Sequence, residues 1–199
     1  MRYYIFLICM LVSSWSTSVA QVENRYFDII HNNKVIGSLK AAKTIDDNKT
    51  LYQSTTNITA TIIWETQINY NYKVLFESGL LQTSDVDIFV NDKPRAQTYT
   101  RKQDSLFIIS RDNKRPQFYK EPINYTTIQL YFEEPRTITS CYSEQDGSIN
   151  KLVALGNHSY KKVNAKGREN LYFYKDGRLI KASIDGGIIQ FELVATAKM

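Results

Sequence analysis

Glu133 and Glu134, Glu144 and Asp146, Arg168, the two histidines and Cys141 are the residues that could carry bond-making chemistry. Glycoside hydrolysis needs two carboxylates about 5–9.5 Å apart across a cleft. Glu133 and Glu134 are adjacent, so a strand sends them to opposite faces and a helix sets them about 100° apart. Glu144 and Asp146 flank an Asp146-Gly147 turn, where the expectation is a pair of solvated carboxylates. His31 stands at a strand end, His158 beside Gly156-Asn157, and neither has a second ligand nearby in sequence. Two distant histidines and one later cysteine fall short of a tetrahedral zinc set. Asp46-Asp47-Asn48 lacks the regular oxygen spacing and closing Glu of a calcium loop. G-x-S-x-G, H-E-x-x-H, C-x-x-C and a glycine-rich phosphate loop are all missing. The expectation is therefore a non-enzymatic protein with no catalytic set, no metal and no cofactor. Were a hydrolase hidden in the chain, Glu134, Glu144 and Arg168 would have to converge on one concave site.

The stronger chemical signal is apolar. Tyr52, Trp64, Tyr70, Tyr72 and Phe76 share one parity of strand-like sequence. Such a face either lines a groove for an acyl chain or another apolar ligand, or it forms the filled core of a closed barrel. The five residues are the candidate ligand-binding set.

Long strands must carry that face. Thr66, Ile68, Tyr70, Tyr72, Val74 and Phe76 alternate with Gln67, Asn69, Asn71 and Lys73, with Leu75 as the exception. Ile58, Ala60 and Ile62 alternate likewise with Asn57, Thr59 and Thr61, and Leu39, Ala41 and Ile45 do so within Lys34–Asp46. Period 2 with one wet face is the mark of a half-buried strand. These runs exceed the common strand length of about 5–6 residues, and sheets of long strands twist and coil. The fold expected is all-β and mostly antiparallel, with long curved strands in a half-barrel or an imperfectly closed barrel. Asp146-Gly147, Lys166-Gly167, Asp176-Gly177 and Asp185-Gly186-Gly187 punctuate the last quarter at hairpin spacing. It should form a meander over 137–143, 149–155, 159–164, 170–174, 179–184 and 188–194. Between Pro122 and Pro135 the chain reads either as a strand, through Ile128, Leu130 and Phe132, or as a short helix near 124–133. The bracketing prolines favour a helix that plugs the barrel mouth.

The first residues have a different character. Arg2, the apolar run Tyr3 to Val12 and the small residues Ser18-Val19-Ala20 have the layout of a secretory signal peptide. Residues 1–20 are expected to be cleaved after Ala20, leaving 21–199 as a single exported, periplasmic β domain. The apolar run falls short of the roughly 20 residues a membrane span needs, and no transmembrane segment is expected in the mature chain. Cleavage would remove Cys9 and leave Cys141, a lone packed thiol of unassigned role, with no internal disulfide. The net charge of +5 over 199 residues is mild, and its basic residues are scattered. Arg111-Lys114-Arg115 and Lys161-Lys162 do not make the continuous stripe of a nucleic-acid binder.

Tyr26-x-x-Ile29 followed by Lys34-Val35-Ile36-Gly37 resembles the opening of an uncharacterised family of exported bacterial proteins, domain of unknown function 6134. Leu130-Tyr131-Phe132-Glu133-Glu134-Pro135, Ser143-Glu144-Gln145-Asp146-Gly147 and Gly167 to Gly177 continue the resemblance. That family is similar in layout to domain of unknown function 3108, and more distantly to the half-barrel carriers that ferry lipoproteins through the periplasm. The resemblance implies a Gram-negative envelope setting and brings no activity or functional residues with it. Three functions remain in view: a protein holding an apolar ligand, one docking on an envelope partner through a strand edge, and an envelope hydrolase.

Overall fold

The computed structural model describes residues 20–61, 65–112, 114–186 and 189–196. Trp64 and nearly all of the expected signal segment lie outside the described residues. Among the described residues fourteen strands follow in chain order. They are β1 (Gln21–His31), β2 (Lys34–Asp46), β3 (Lys49–Thr61), β4 (Glu65–Glu77), β5 (Leu80–Val90), β6 (Lys93–Gln103) and β7 (Leu106–Arg111). A short β8 (Gln117–Tyr119), a 3-10 helix (Thr127–Tyr131) and β9 (Ser140–Ser143) come next. The chain finishes with β10 (Ser148–Gly156), β11 (Ser159–Val163), β12 (Glu169–Lys175), β13 (Arg178–Asp185) and β14 (Gln190–Ala195).

All fourteen form one antiparallel sheet in the order β8-β7-β6-β5-β4-β3-β2-β1-β14-β13-β12-β11-β10-β9. Each strand pairs with its sequence neighbours, except that β8 and β9 do not pair with each other and β1 also pairs with β14, through Phe27 opposite Ala195 and Ile29 opposite Leu193. The two ends of the chain thus meet inside the sheet, and the sheet's edges, β8 and β9, lie in mid-sequence. Alternation sets the faces as expected: β4 buries Thr66, Ile68, Tyr70, Val74 and Phe76 and exposes Glu65, Gln67, Asn71 and Lys73. Each large apolar side chain so buried contributes about 1.5–3 kcal/mol. Two-residue turns with both φ positive, between 48° and 76°, join the strands at Asn32-Asn33, Ser78-Gly79, Asn91-Asp92, Asn157-His158 and Asp176-Gly177. Their backbone twist matches that of the strands they connect, and Asn, Asp and Gly tolerate it best.

No backbone ladder joins β8 to β9; side chains close the gap instead. Thr100 on β6 shares a 2.6 Å hydrogen bond with the Tyr142 hydroxyl on β9, and the Thr98 hydroxyl donates to the Gln145 carbonyl at 2.8 Å. Thr98 and Thr100 are on the buried face of β6. The β9 turn therefore lies against the inward face of β6 and β7. At Gly147 (φ +73°) a Cβ would come within 2.7 Å of Ile109 Cγ2. The result is an imperfectly closed, barrel-like sheet.

The long β8–β9 connection enters the barrel from one end. The Leu81 N–H, beside the β4–β5 turn, donates to the Ile123 carbonyl at 2.9 Å. The 3-10 helix then places Ile128 and Leu130 in the core at 1% and 0% exposure. Thr126 and Gln129 form a capping box, with the Thr126 N–H donating to Gln129 Oε1 at 2.8 Å. The sequence expectation of a short helix between the prolines is met by this single 3-10 turn.

Candidate functional site

The plugged end is tightly packed. Tyr52 meets Phe76 edge-on with ring centroids 5.9 Å apart and tilts against Phe132 at 5.5 Å. Tyr160 and Tyr174 pack edge-on at 5.6 Å, and the Tyr174 hydroxyl donates to the Leu130 carbonyl at 2.8 Å. Tyr52 and Phe76, expected on a ligand face, are thus placed in the filled core and do not line the cavity described below.

Glu134 fastens this end from outside. Its carboxylate accepts from the Tyr160 hydroxyl at 2.7 Å, His158 Nδ1 at 2.9 Å and Arg136 Nε at 3.2 Å. Burial pushes the carboxyl up, but those three hydrogen bonds together outweigh it and leave Glu134 below the usual carboxylate value.

Glu144 departs most from expectation. Rather than a solvated turn carboxylate it is 0% exposed. Its Oε1 accepts the Ile128 N–H at 2.9 Å and its Oε2 the Thr127 N–H at 3.1 Å. Desolvation raises its pKa, against the lowering effect of hydrogen bonds from the Ile128 N–H and its own N–H and of the Lys162 charge. The two carboxylates suspected of catalysis are therefore occupied in holding the plug, one at each side of it. Cys141, 2% exposed beside Thr127, is the packed thiol expected, and burial pushes it up to about 11.

Above the plug the barrel is not filled. A cavity of about 500 Å³ opens toward the end carrying the β5–β6, β11–β12 and β13–β14 connections. Leu39, Tyr70, Tyr72, Ile88, Tyr172 and Leu193 form part of its wall, and Thr127 and Tyr131 of the 3-10 helix reach it from below. Burial pushes the phenols of Tyr72 and Tyr131 far above their ordinary value. Both residues nonetheless keep accessible surface, and both line the cavity. Of the five candidate residues, Tyr70 and Tyr72 are at the cavity. Arg168 also lines it, paired with Asp185 at 3.7 Å, whereas Glu134 and Glu144 do not. The proposed hydrolytic trio is not brought together.

Sequence reasoning missed Ile88, Tyr172, Leu193 and Tyr131 as cavity residues. The inward parity of the three strand residues Ile88, Tyr172 and Leu193 was readable, but the plug's depth, which separates wall from filled core, was not. It also missed Lys162, which lies opposite buried Leu152 and cavity-lining Asn170 on the inward face of β11. Among the described residues no group of three or more His, Cys, Asp or Glu side chains is placed to hold a metal ion.

No curated protein matches the sequence. A solved structure similar to this chain is the beta-barrel-like protein of domain of unknown function DUF1849 from Brucella abortus, at 7% identity and a TM-score of 0.47, over 87% of this chain and 95% of that one. The family model described as domain of unknown function (DUF6134) matches residues 27–196, and the chain belongs to that family.

Proposed function

We propose that the protein is an exported, periplasmic binding or envelope-maintenance protein that holds an apolar ligand in the barrel above the plug. The observation that carries this reading is the cavity of about 500 Å³ walled by Tyr70, Tyr72, Ile88 and Tyr131. Ligand pockets commonly span about 300–1,000 Å³, and here the apolar residues share the lining with polar and charged ones. The outward positions of the central strands, such as Gln53, Thr55, Asn71 and Lys73, are polar and exposed. That is the reverse of a lipid-facing barrel, and no described helix is long and apolar enough to cross a membrane. Export is supported by the sequence of residues 1–20 and by β1 beginning at Gln21, the residue that cleavage would leave first.

Binding is tested with an environment-sensitive apolar dye. Saturable uptake at one site per chain, lost in a folded Tyr72→Asp variant, is expected; no uptake by the folded protein would overturn the ligand reading. Export is tested by the intact mass of protein from the periplasmic fraction. A chain starting at Gln21 is expected, and an uncleaved chain confined to the cytoplasm would overturn it.

Docking through the sheet edge is a second reading, favoured by Phe118 on the edge strand β8, which is 66% exposed. Photo-cross-linking from position 118 in the cell tests it, and the absence of any adduct would rule that edge out.

A further inference from the structure

The cavity mouth differs chemically from its floor. Arg95, Arg111, Lys114, Lys162, Lys166 and Arg168 line the cavity, with Asp112, Asp146 and Asp185 as the acids among them. Those acids are engaged locally. Asp112 lies 3.7 Å from Arg111 and accepts the Gln97 N–H at 2.9 Å. Asp146 accepts the Ser148 hydroxyl at 2.7 Å, and Asp185 lies 3.7 Å from Arg168. Among the described residues no carboxylate lies within salt-bridge distance of Arg95, Lys114, Lys162 or Lys166, although the Lys162 charge acts on buried Glu144.

One further donor lies in the wall of the same space: the Tyr70 hydroxyl is buried without a hydrogen-bond partner, and Tyr70 lines the cavity. A Cβ on Gly186, at the β13–β14 connection, would sit 3.5 Å from the Tyr70 hydroxyl, so this donor lies where the apolar wall meets the charged mouth. A buried donor without an acceptor is costly, and Lys162, half-buried on the inward face of β11, has no carboxylate within salt-bridge distance. An anionic acceptor at the mouth satisfies both.

Resting on the apolar-ligand reading, we infer that the ligand is an anionic single-chain amphiphile. Its carboxylate or phosphate head sits among Lys162, Arg168 and the Tyr70 hydroxyl, and its alkyl chain runs past Tyr72 and Ile88 to Tyr131 on the plug.

The test is calorimetric titration of the purified protein with dodecyl phosphate, uncharged dodecyl maltoside and inorganic phosphate, each below its aggregation limit. Dodecyl phosphate should bind at least about tenfold more tightly than the uncharged compound, as a charge-assisted contact implies. Added salt should narrow that preference, and each added methylene should tighten binding up to about fourfold. In folded Lys162→Met and Arg168→Gln variants the preference should shrink while the uncharged compound binds as before. Equal binding of the two dodecyl compounds overturns the headgroup assignment and leaves the apolar cavity standing. A preference unchanged in both variants overturns the placement of the head. Inorganic phosphate binding as tightly as its dodecyl ester makes this a free-anion site and overturns the amphiphile. No binding of either dodecyl compound overturns the cavity reading as well.

Discussion

Glu144 holds the N-terminus of the 3-10 helix by accepting the Ile128 N–H at 2.9 Å, across sixteen residues of sequence and from a fully buried position. The floor of the cavity thus depends on a carboxylate that cannot be replaced by water. Glu144→Gln keeps the shape but turns one acceptor into a donor facing a backbone N–H. It should cost about 1–3 kcal/mol, measured by urea unfolding at neutral pH.

The same residue sets a pH signature. Its pKa in the fold is raised, chiefly by desolvation, so the stability it contributes is fully present below the ordinary carboxylate value. That contribution is lost as pH rises through the raised value. Relative to Glu144→Gln, the native protein should lose stability on going from acid toward neutral pH. A difference between the two melting curves that stays flat, or grows with pH, would contradict the assignment. Glu134 works the other way: lowered by its three donors against burial, it contributes stability above the ordinary carboxylate value that is lost as pH falls through the lowered one. Glu134→Gln should remove that acid-side loss.

Closure of the barrel by side chains is open to a double-mutant cycle. Thr100→Val strands the Tyr142 hydroxyl, which is otherwise held at 2.6 Å. The single change should cost about 1–3 kcal/mol, and adding Tyr142→Phe should recover part of it, since removing both partners is milder than orphaning one. Additive effects would show that the overlap does not carry the closure.

Gly37 lies where β2 and β3 come close, next to the bulge at Ile29/Ile30. A Cβ there would overlap the Asn57 carbonyl oxygen and come within 2.9 Å of Ile58 Cα. Both obstacles are backbone and cannot rotate away. Gly37→Ala should therefore destabilise by about 1–3 kcal/mol, read as a shift in melting temperature with no change in strand content by circular dichroism.

Cys141 should resist thiol reagents in the folded protein at about pH 8, because burial both hides it and raises its pKa to about 11. Full labelling on unfolding, and none before, is the expected course of a mass-shift assay.

Much of this architecture could be read from alternation. The wet and dry faces of β4 follow from Gln67, Asn69, Asn71 and Lys73 opposing Ile68, Tyr70, Tyr72 and Val74, and the span Lys34–Asp46 coincides with β2. Period 2 is a local property, so a local reading finds it. The parts that escaped are those made by distant segments. Glu144 follows a strand and sits in a turn, so nothing near it reveals that Thr127 and Ile128 will fold over it. The pairing of Thr100 with Tyr142 spans 42 residues and uses side chains rather than a ladder. The mouth cations, from Arg95 to Arg168, looked scattered because an up-and-down sheet gathers alternate connections at one end only after it has curled. Tyr52 and Tyr72 share a parity, yet one packs on Phe132 and the other faces the cavity. The depth to which the plug fills the barrel makes that difference.

Native mass spectrometry of the protein recovered from cells, with solvent extraction of anything bound, tests the ligand-holding account most directly. A reproducible lipid-sized adduct, at one per chain and missing from a folded Tyr72→Asp variant, is the predicted result. A bare polypeptide mass after gentle handling, with no uptake of added amphiphiles, would contradict it.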